Sequence, residues 1–392
     1  MTAELESNIP KLYIFRALYG ALLMTPIIVL FWKQNGLSMF EVMVLQALFA
    51  ISVIMLEVPS GYIADIYGRK NTLVAASMFA TLGMGVYAIG QGFLEFLVAE
   101  IIWAIGVSLV SGADTAMFYD TLVELGEEDT YKERWGRSTS YYMITAAAAA
   151  ILGGFIGEFN LRWTFYAQLP VIAAMIPVAY TLKEPKHHKD LGDEETKGLK
   201  AIVNEVARTK DLRLLILYGA FIYASLQTAF WLYQPYFKLT GLQVASFGLI
   251  FAGFNVVSAG ASKYAHAIED RLGMTLSLVS LMFFLTASLA LMSSFVFIFA
   301  FGFVFLQQFV RGFSKPVISD YINKIVDSEN RSTILSTQSL VGRLLQAALM
   351  PGIGLISDVY SVTQALSVLG VTVVVGGSVL LFLIARHEMI EI

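Results

Sequence analysis

The stretch Gly61-Tyr62-Ile63-Ala64-Asp65-Ile66-Tyr67-Gly68-Arg69-Lys70 separates two long apolar segments and follows Glu57-Val58-Pro59-Ser60. Gly61 carries no side chain, which predicts a close crossing of two helices. Gly68 permits a tight turn. Arg69 and Lys70 suit the anionic inner leaflet of a membrane. The stretch therefore predicts a short polar loop between two membrane-spanning helices.

The composition of the whole chain agrees with a membrane location. Hydrophobic residues make up 57% of the 392 residues and charged residues 14%, against about 25% charged in an ordinary soluble domain. A helix needs about 20 mostly apolar residues to cross a bilayer. The apolar segments predict twelve spans, at 12–32, 39–62, 72–90, 94–118, 138–158, 162–182, 212–235, 243–265, 275–293, 296–318, 333–356 and 362–385.

The longest polar stretch lies between the sixth and seventh spans. It predicts a cytoplasmic linker at 183–211 between two six-helix halves, 1–182 and 212–392. Most other loop Lys and Arg residues fall on the linker's side of the membrane, and such residues are retained in the cytoplasm. We therefore expect both termini in the cytoplasm, with the first apolar segment retained because the acidic N-terminus lacks the features of a secretory signal.

Two landmarks repeat at about half the length of the chain. Asp65 to Gly68 is echoed by Asp270 to Gly273, 205 positions later (270 against 65). Gly112 and Asp120 are echoed by Gly312 and Asp320, 200 positions later (312 against 112). Internal repeats of this kind are one known plan of membrane transporters. The two echoes together indicate that the halves arose by duplication.

The 61–70 stretch resembles the loop signature of the major facilitator superfamily, Gly-x-x-x-Asp-x-x-Gly-Arg-Arg/Lys. The resemblance implies an all-α fold of twelve helices in two pseudo-symmetric bundles that work by alternating access. It also implies that Asp65 meets the N-terminal end of the eleventh span and that Arg69 pairs with a carboxylate ending the fourth span, for which Asp120 is the candidate. The predicted gating residues are Glu57, Gly61, Asp65, Gly68, Arg69, Lys70 and Asp120; the alternative is a plain topology anchor.

Two departures separate the chain from proton-coupled drug exporters of that superfamily. The fourth-span Arg of the exporters' Arg-x-x-x-Gly pattern is replaced by Ile102, four positions before Gly106. The Gly-rich fifth span closed by Gly-Pro is replaced by Ala146 to Ala150 followed by Gly153 and Gly154. The motifs therefore do not support drug–proton antiport, which remains an alternative to transport of an anionic or zwitterionic solute.

Basic side chains inside the spans are the first candidates for substrate contact, because an isolated charge at a helix centre is costly. Arg343 falls near the middle of the eleventh span, beyond easy reach of water. In the tenth span Gln307, Arg311 and Lys315 fall on one helical face. Arg16 lies about one turn inside the first span, where a structural ion pair is the alternative. The remaining polar candidates for the cavity are Gln227 and Gln346.

The acidic candidates lie in the fourth span. At 3.6 residues per turn, Ser111 and Asp114 both return to within about 40° of Glu100. The sequence thus predicts an acidic stripe in the first half and a basic one in the second. Either Asp114 or Glu100 carries a coupling proton while the arginines attract the substrate, or the stripes only pair with each other.

Other functional classes find no support. The chain has no cysteine and its four histidines, His187, His188, His266 and His387, are scattered, so no metal site is predicted. The net charge of −4 and the absence of a basic face predict no nucleic-acid partner. With no catalytic motif and no cofactor motif, we expect a monomeric, proton-coupled secondary transporter of the cell inner membrane. A non-transporting receptor is the alternative class.

Overall fold

The computed structural model describes residues 2–186, 209–326 and 331–386, and the side chains of 2, 3, 58 and 331–333 are left aside. Every regular element in these ranges is helical. The predicted all-α class is therefore confirmed. The central part of the predicted linker, with His187 and His188, and the tail with His387 lie outside the described residues.

The helices follow one another with short connections. In chain order they are α1 Thr2–Glu6, α2 Asn8–Gly20, α3 Ile28–Gln34, α4 Met39–Tyr67, α5 Arg69–Ile89, α6 Phe93–Val110, α7 Ala113–Leu125, a 3₁₀ turn Glu128–Thr130, α8 Tyr131–Phe159, α9 Leu161–Ala173, α10 Met175–Tyr180, α11 Lys210–Phe230, α12 Tyr233–Leu239, α13 Val244–Lys263, α14 Ala265–Ser294, a 3₁₀ turn Ile298–Phe303, α15 Val304–Ile325, α16 Arg331–Val359 and α17 Val362–Ala385.

Ten helical segments among the described residues are long and apolar enough to cross a membrane. They match ten of the twelve predicted spans. The first predicted span is instead divided between α2 and α3, and the tenth consists of a 3₁₀ turn and α15, which carries Arg311 and Lys315. Large apolar side chains such as Leu94, Val256 and Phe382 are exposed on the helices, as expected of surfaces that face lipid.

Several spans predicted as continuous helices are broken. The first is non-helical at 21–27. This segment contains Pro26, which lacks a backbone N–H. Gln168 of α9 restores the lost hydrogen bonds, since its Oε1 accepts from the Leu23 backbone N–H (2.5 Å) and its Nε2 donates to the Ala21 carbonyl (2.9 Å). The fourth span breaks at Ser111 and Gly112, where Gly112 adopts φ +84°.

The backbone repeats where the sequence repeats. Gly68 ends α4 with φ +86° and ψ 153°, and Gly273 interrupts α14 with φ +69° and ψ 174°. The short helices α3 and α12 also correspond, since their first and last residues both lie 205 positions apart (233 against 28, 239 against 34). Gly312, in contrast, remains helical, and a Cβ there would clash with the Ser258 carbonyl oxygen.

The described residues form two compact units. The first holds those within Met1–Leu37, Leu48–Lys189 and Gln243–Ala252, and the second those within Ser38–Ala47, Asp190–Leu242 and Gly253–Ile392. The beginnings of α4 and α13 are thus each assigned to a different unit from the rest of the same helix. The boundaries 1–182 and 212–392 remain a prediction.

Candidate functional site

An ion pair between Arg16 of α2 and Asp114 of α7 is the central polar feature of the first unit. Gly112 ends the preceding helix with a positive φ, so Asp114 falls in the first turn of α7, where a negative charge is favoured by the helix dipole. The other carboxylate oxygen, Oδ1, accepts from the Thr115 backbone N–H (2.7 Å). Both charges are largely buried, with 14% and 8% of their side chains exposed.

Aromatic rings of α8 complete the surroundings of Arg16. The guanidinium carbon lies 4.1 Å from the ring centroid of Trp135 and 5.9 Å from that of Tyr142, which are cation–π distances. The Arg16 Nε is buried and has no hydrogen-bond partner among the described residues. The predicted structural pair of Arg16 therefore exists, and the sequence did not indicate Trp135 or Tyr142.

Close packing of α2 and the non-helical segment 21–27 against α8 brings these rings to Arg16. A Cβ on Gly153 would clash with the Leu23 carbonyl oxygen, and one on Gly20 would lie 2.6 Å from the Tyr142 carbonyl oxygen. The Thr145 hydroxyl donates to the Ala17 carbonyl (2.8 Å) across the same contact. Only glycine at these positions lets the two backbones approach so closely.

Glu100 and Asp114 lie in different helices, α6 and α7, because the fourth span is broken between them. The predicted common face assumed one continuous helix, whereas the span is broken at Ser111 and Gly112; the common face stays a prediction. Glu100 is buried in α6 and accepts a hydrogen bond from the Tyr87 hydroxyl (2.6 Å). The burial and this partner are compatible with a structural role.

The loop signature has the ion pair that the resemblance implied. Arg69, at the start of α5, pairs with Asp120 of α7. The Lys70 ammonium lies 5.1 Å from the ring centroid of Tyr180. The Gly68 conformation, with φ +86°, is one that other residues rarely adopt. These contacts fix the geometry of the loop, and its gating role remains a prediction.

Glu184 is a member of this loop cluster that the sequence did not indicate. Its two carboxylate oxygens accept from the backbone N–H groups of Arg69 and Lys70 at 2.7 Å each, so it caps α5. A Cβ on Gly68 would lie 3.0 Å from the Glu184 carboxylate carbon. Gly68 therefore provides space for Glu184 as well as a turn.

The upstream part of the signature differs from expectation. Among the described residues, a Cβ on Gly61 would meet no atom within 4 Å, so the close helix crossing predicted there is not found in this part of the chain. Glu57 is exposed and Asp65 is half-buried, both on α4. Their assigned roles in gating remain predictions.

Three basic side chains of the second unit lack acidic partners among the described residues. Arg311 of α15 is exposed, donates to the Gln227 side-chain oxygen (3.2 Å) and lies 5.5 Å from the Phe230 ring centroid. Arg343 of α16 is half-buried, and its Nε is buried with no hydrogen-bond partner in the described part of the chain. Lys315 is exposed on α15. Within the described residues, no carboxylate pairs with any of these three cations.

Two of the three predicted glutamines, Gln307 and Gln346, have partners inside the second unit. Gln307 is fully buried; its oxygen accepts from the Tyr233 hydroxyl (2.7 Å), and its amide nitrogen donates to the Ser288 hydroxyl (2.9 Å). Gln346 is also buried, with its amide nitrogen 3.7 Å from the Met350 sulfur. In this conformation both side chains belong to the interior of the unit, and the Tyr233–Gln307–Ser288 chain was not predicted.

One group of potential metal ligands occurs near the second copy of the loop. Ligand atoms of His266, Glu269 and Asp270 lie within 4.8 Å of one another. His266 and Asp270 are exposed, and Glu269 accepts a hydrogen bond from the Tyr321 hydroxyl (2.8 Å). Exposed acidic groups of this kind are common in the absence of a metal, so the cluster does not define a metal site.

The helices, buried charges and repeat define a polytopic membrane protein of the transporter class. The sequence model of the Major Facilitator Superfamily matches residues 12–349, and the chain belongs to that family.

Similar proteins agree with this assignment. The uncharacterized MFS-type transporter YxaM of Bacillus subtilis (strain 168) is 23% identical over 379 residues, 92% of each chain. Multidrug resistance protein 1 of the same organism is 23% identical over 336 residues, which are 81% of this chain and 80% of that protein. The crystal structure of a mutant of the nucleoside transporter NupG superposes with a TM-score of 0.84 at 13% identity, over 97% of this chain and 99% of that one.

Proposed function

We propose that the protein moves a small anionic or zwitterionic organic solute across the cytoplasmic membrane by alternating access, coupled to a proton. The observation that carries the proposal is the imbalance of charge between candidate residues. Arg16 has Asp114 as a partner. Arg311 and Arg343 also lie in membrane helices, but no carboxylate in the described part of the chain pairs with either of them.

A negatively charged substrate would supply the missing partner. Charged side chains in membrane helices generally face a bundle interior or water and mark substrate pathways. A guanidinium group offers paired N–H donors that match a carboxylate or phosphate. Arg343 has a buried Nε with no partner among the described residues, so an incoming anion would satisfy a donor that is otherwise unused.

The Arg16–Asp114 pair supports proton coupling. Protonation of Asp114 removes the negative charge of the pair and leaves the Arg16 guanidinium, which is positive at all relevant pH values, without its partner. The freed Arg16 would then favour a negatively charged substrate. One proton and one anion would thereby be bound together, which is the requirement for cotransport.

Export of amphipathic compounds by proton antiport is the second candidate function. It is favoured by the relative named Multidrug resistance protein 1. The rings of Trp135 and Tyr142 beside Arg16 offer planar apolar surface of the kind such compounds bind. A non-transporting receptor is the remaining alternative, and it predicts no solute flux.

We also propose a monomer in the inner membrane, with both termini and the 183–211 linker in the cytoplasm and with no cofactor, metal or catalytic activity. Residues 1–182 and 212–392 would form the two halves. The distribution of loop Lys and Arg residues supports this orientation.

Flux into proteoliposomes tests the proposal directly. Labelled organic anions, zwitterions and lipophilic cations are compared with and without a pH gradient. We expect anion or zwitterion flux that the gradient accelerates. Preferential movement of lipophilic cations would support the efflux alternative, and no flux of any solute would contradict coupled transport.

The same assay tests Arg343. Arg343→Ala is expected to lower anion flux at least about tenfold, the loss expected when a charged partner is removed from an ion pair. Arg386→Ala, at an exposed position just after α17, is the matched control and should retain full flux. Full activity of Arg343→Ala in correctly folded protein would remove Arg343 from the site.

A further inference from the structure

Two carboxylates near helix ends bind the beginnings of other helices in the same way. Asp358, near the end of α16, accepts from the backbone N–H groups of Met39 (2.9 Å) and Phe40 (2.7 Å) in the first turn of α4. Glu158, near the end of α8, accepts from the backbone N–H of Ala245 (2.9 Å) in the first turn of α13. The N–H groups of a first helical turn lack intrahelical partners and carry partial positive charge, so they favour a carboxylate.

A glycine four residues before each carboxylate brings the helices into backbone contact. A Cβ on Gly354 would lie 2.7 Å from the Met39 carbonyl oxygen and 2.9 Å from the Phe40 Cα. A Cβ on Gly154 would lie 2.8 Å from the Gly248 backbone nitrogen. The pattern Gly-x-x-x-acid thus recurs 200 positions apart (354 against 154), the same spacing as Gly112 and Gly312.

The helix beginnings that these carboxylates bind are repeated too. Gly36 (φ +90°) and Gly241 (φ +83°) precede them, 205 positions apart (241 against 36). The following residues form equivalent hydrogen bonds, Leu37 N–H to the Trp32 carbonyl (3.1 Å) and Leu242 N–H to the Phe237 carbonyl (3.2 Å). Both partners in each contact are therefore preserved between the two halves.

The first turn of α4 does not need Asp358 in order to form. Ser38 and Glu41 already make a capping box: the Ser38 N–H donates to the Glu41 carboxylate (2.8 Å), and the Glu41 N–H donates to the Ser38 hydroxyl (3.1 Å). Asp358 binds the next two N–H groups. Its contribution is therefore attachment of α4 to α16, over and above formation of the helix.

Each contact lies at the start of a helix whose first residues are assigned to one compact unit and whose remaining residues are assigned to the other. Residues 38–47 group with the unit that holds α16, whereas α4 from Leu48 onward groups with the other unit. Residues 243–252 likewise group with the unit that holds α8, whereas α13 from Gly253 onward does not. At its opposite end, α4 runs into the Gly68–Arg69 loop.

We infer that Glu158 and Asp358 are a second pair of gating residues, which hold the first turns of α13 and α4 in one conformational state and release them in another. With its glycine, each carboxylate forms a contact that is strong when the backbones touch and is lost entirely when they part. The two contacts act at the helix ends opposite the loop signature. This inference does not depend on which solute is carried.

Cysteine labelling of the purified protein in lipid nanodiscs tests the Asp358 contact without a substrate. The chain has no native cysteine, so Met43→Cys is a single reporter. Met43 is fully buried and lies next to Gly354. In this reporter background, Asp358→Ala, Asp358→Asn and Gly354→Ala should each speed maleimide labelling by about fivefold, the effect of losing one helix-terminus charge contact.

Two controls separate release of the contact from other causes. Glu41→Ala removes the local cap of α4 and should leave the labelling rate of Met43→Cys within about twofold. Ala76→Cys, a fully buried reporter on α5, should remain unlabelled in every variant. If Asp358→Ala loosens the whole fold, Asp358→Asn decides the question, because it preserves the shape of the side chain and loses its charge and one acceptor.

The Glu158 contact is tested in the same way with Phe247→Cys as the reporter, which is fully buried in the first turn of α13. Glu158→Ala and Glu158→Gln should speed its labelling, and combining Glu158→Gln with Asp358→Asn should speed labelling of either reporter further. Unchanged rates in Asp358→Asn and Glu158→Gln would overturn the inference. An equal acceleration by Glu41→Ala would also overturn it, because helix fraying would then explain the result.

Discussion

At the scale of single residues, the position of Asp114 explains how a carboxylate is tolerated inside a membrane helix bundle. The first turn of α7, the Thr115 N–H and the Arg16 guanidinium all stabilise its charged form. Burial opposes that charge. A side chain in such a balance can gain or lose a proton when Arg16 moves, which is what a coupling residue requires.

Asp114→Asn is expected to abolish acceleration of flux by a pH gradient, with a loss of at least about tenfold in gradient-driven uptake, because the amide cannot titrate. Counterflow of the same solute without a gradient should persist. Both rates are measured in proteoliposomes, with Glu95→Gln, an exposed acid of α6, as the control. Gradient-driven uptake at the normal rate in Asp114→Asn would exclude Asp114 as the proton carrier.

Glu184 is expected to stabilise the start of α5. Glu184→Ala leaves two backbone N–H groups without their carboxylate and should lower the free energy of unfolding by about 1 kcal/mol. The change is measured as a lower midpoint of thermal unfolding in detergent. Glu128→Ala, at an exposed acid of the neighbouring 3₁₀ turn, should leave the midpoint unchanged. Equal midpoints in the two variants would contradict the capping role.

The residue pairs in this region differ in how far they follow from sequence. Pairing of Arg69 with Asp120 was anticipated because the family resemblance implies that Arg69 meets a carboxylate ending the fourth span, where Asp120 lies. Glu184 belongs to no such pattern, and its partners are backbone atoms, which every residue possesses. The close crossing predicted at Gly61 is not found among the described residues, because a glycine in a sequence does not reveal what lies opposite it.

At the scale of elements, breaks in the helices decide which polar side chains come together. The break at Gly112 separates Glu100 from Asp114 and gives Asp114 a helix start of its own. The break at 21–27 is maintained by Gln168 of α9. Hydropathy averages over such interruptions. It therefore located the first and fourth spans and did not reveal that each is broken.

The contact of α8 with α2 and the adjoining non-helical segment 21–27 gives a prediction at this scale. Gly153→Ala would place a Cβ against the Leu23 carbonyl oxygen, closer than any real contact allows, and should destabilise the protein by about 1–3 kcal/mol, since the backbones must separate. Gly136→Ala, on the same helix with no atom within 4 Å, is the matched control. It should be neutral or stabilising by up to about 1 kcal/mol.

Thermal unfolding and flux together identify the cause of any loss in Gly153→Ala. Separation of α2 from α8 would also move Trp135 away from Arg16, so flux should fall together with stability. A Gly153→Ala protein with an unchanged unfolding midpoint would show that the crossing is less tightly packed than the structure indicates.

At the scale of the whole molecule, the proposed orientation can be tested at the two ends of one helix. α8 has 29 residues, about 43 Å at 1.5 Å per residue, which is enough to cross a bilayer. Phe159 and Lys132 are exposed at its opposite ends. Single-cysteine variants at these two positions report the side of the membrane on which each end lies.

In intact cells, Phe159→Cys should react with an impermeant maleimide, and Lys132→Cys should react only after permeabilisation. The cysteine-free native chain is the background control. The opposite pattern would place the termini and the linker outside the cytoplasm and would contradict the proposed orientation.

The sequence by itself determined the multi-pass membrane character and the family, because hydropathy and loop signatures are properties of short contiguous stretches; it also predicted two repeated halves. Only the tertiary structure decided which charges are satisfied. Arg16 meets Asp114 across 98 positions, Glu184 meets Arg69 across 115, and Asp358 meets Met39 across 319. Such contacts depend on helix breaks and on close glycine crossings, whose geometry is fixed only when the helices pack together.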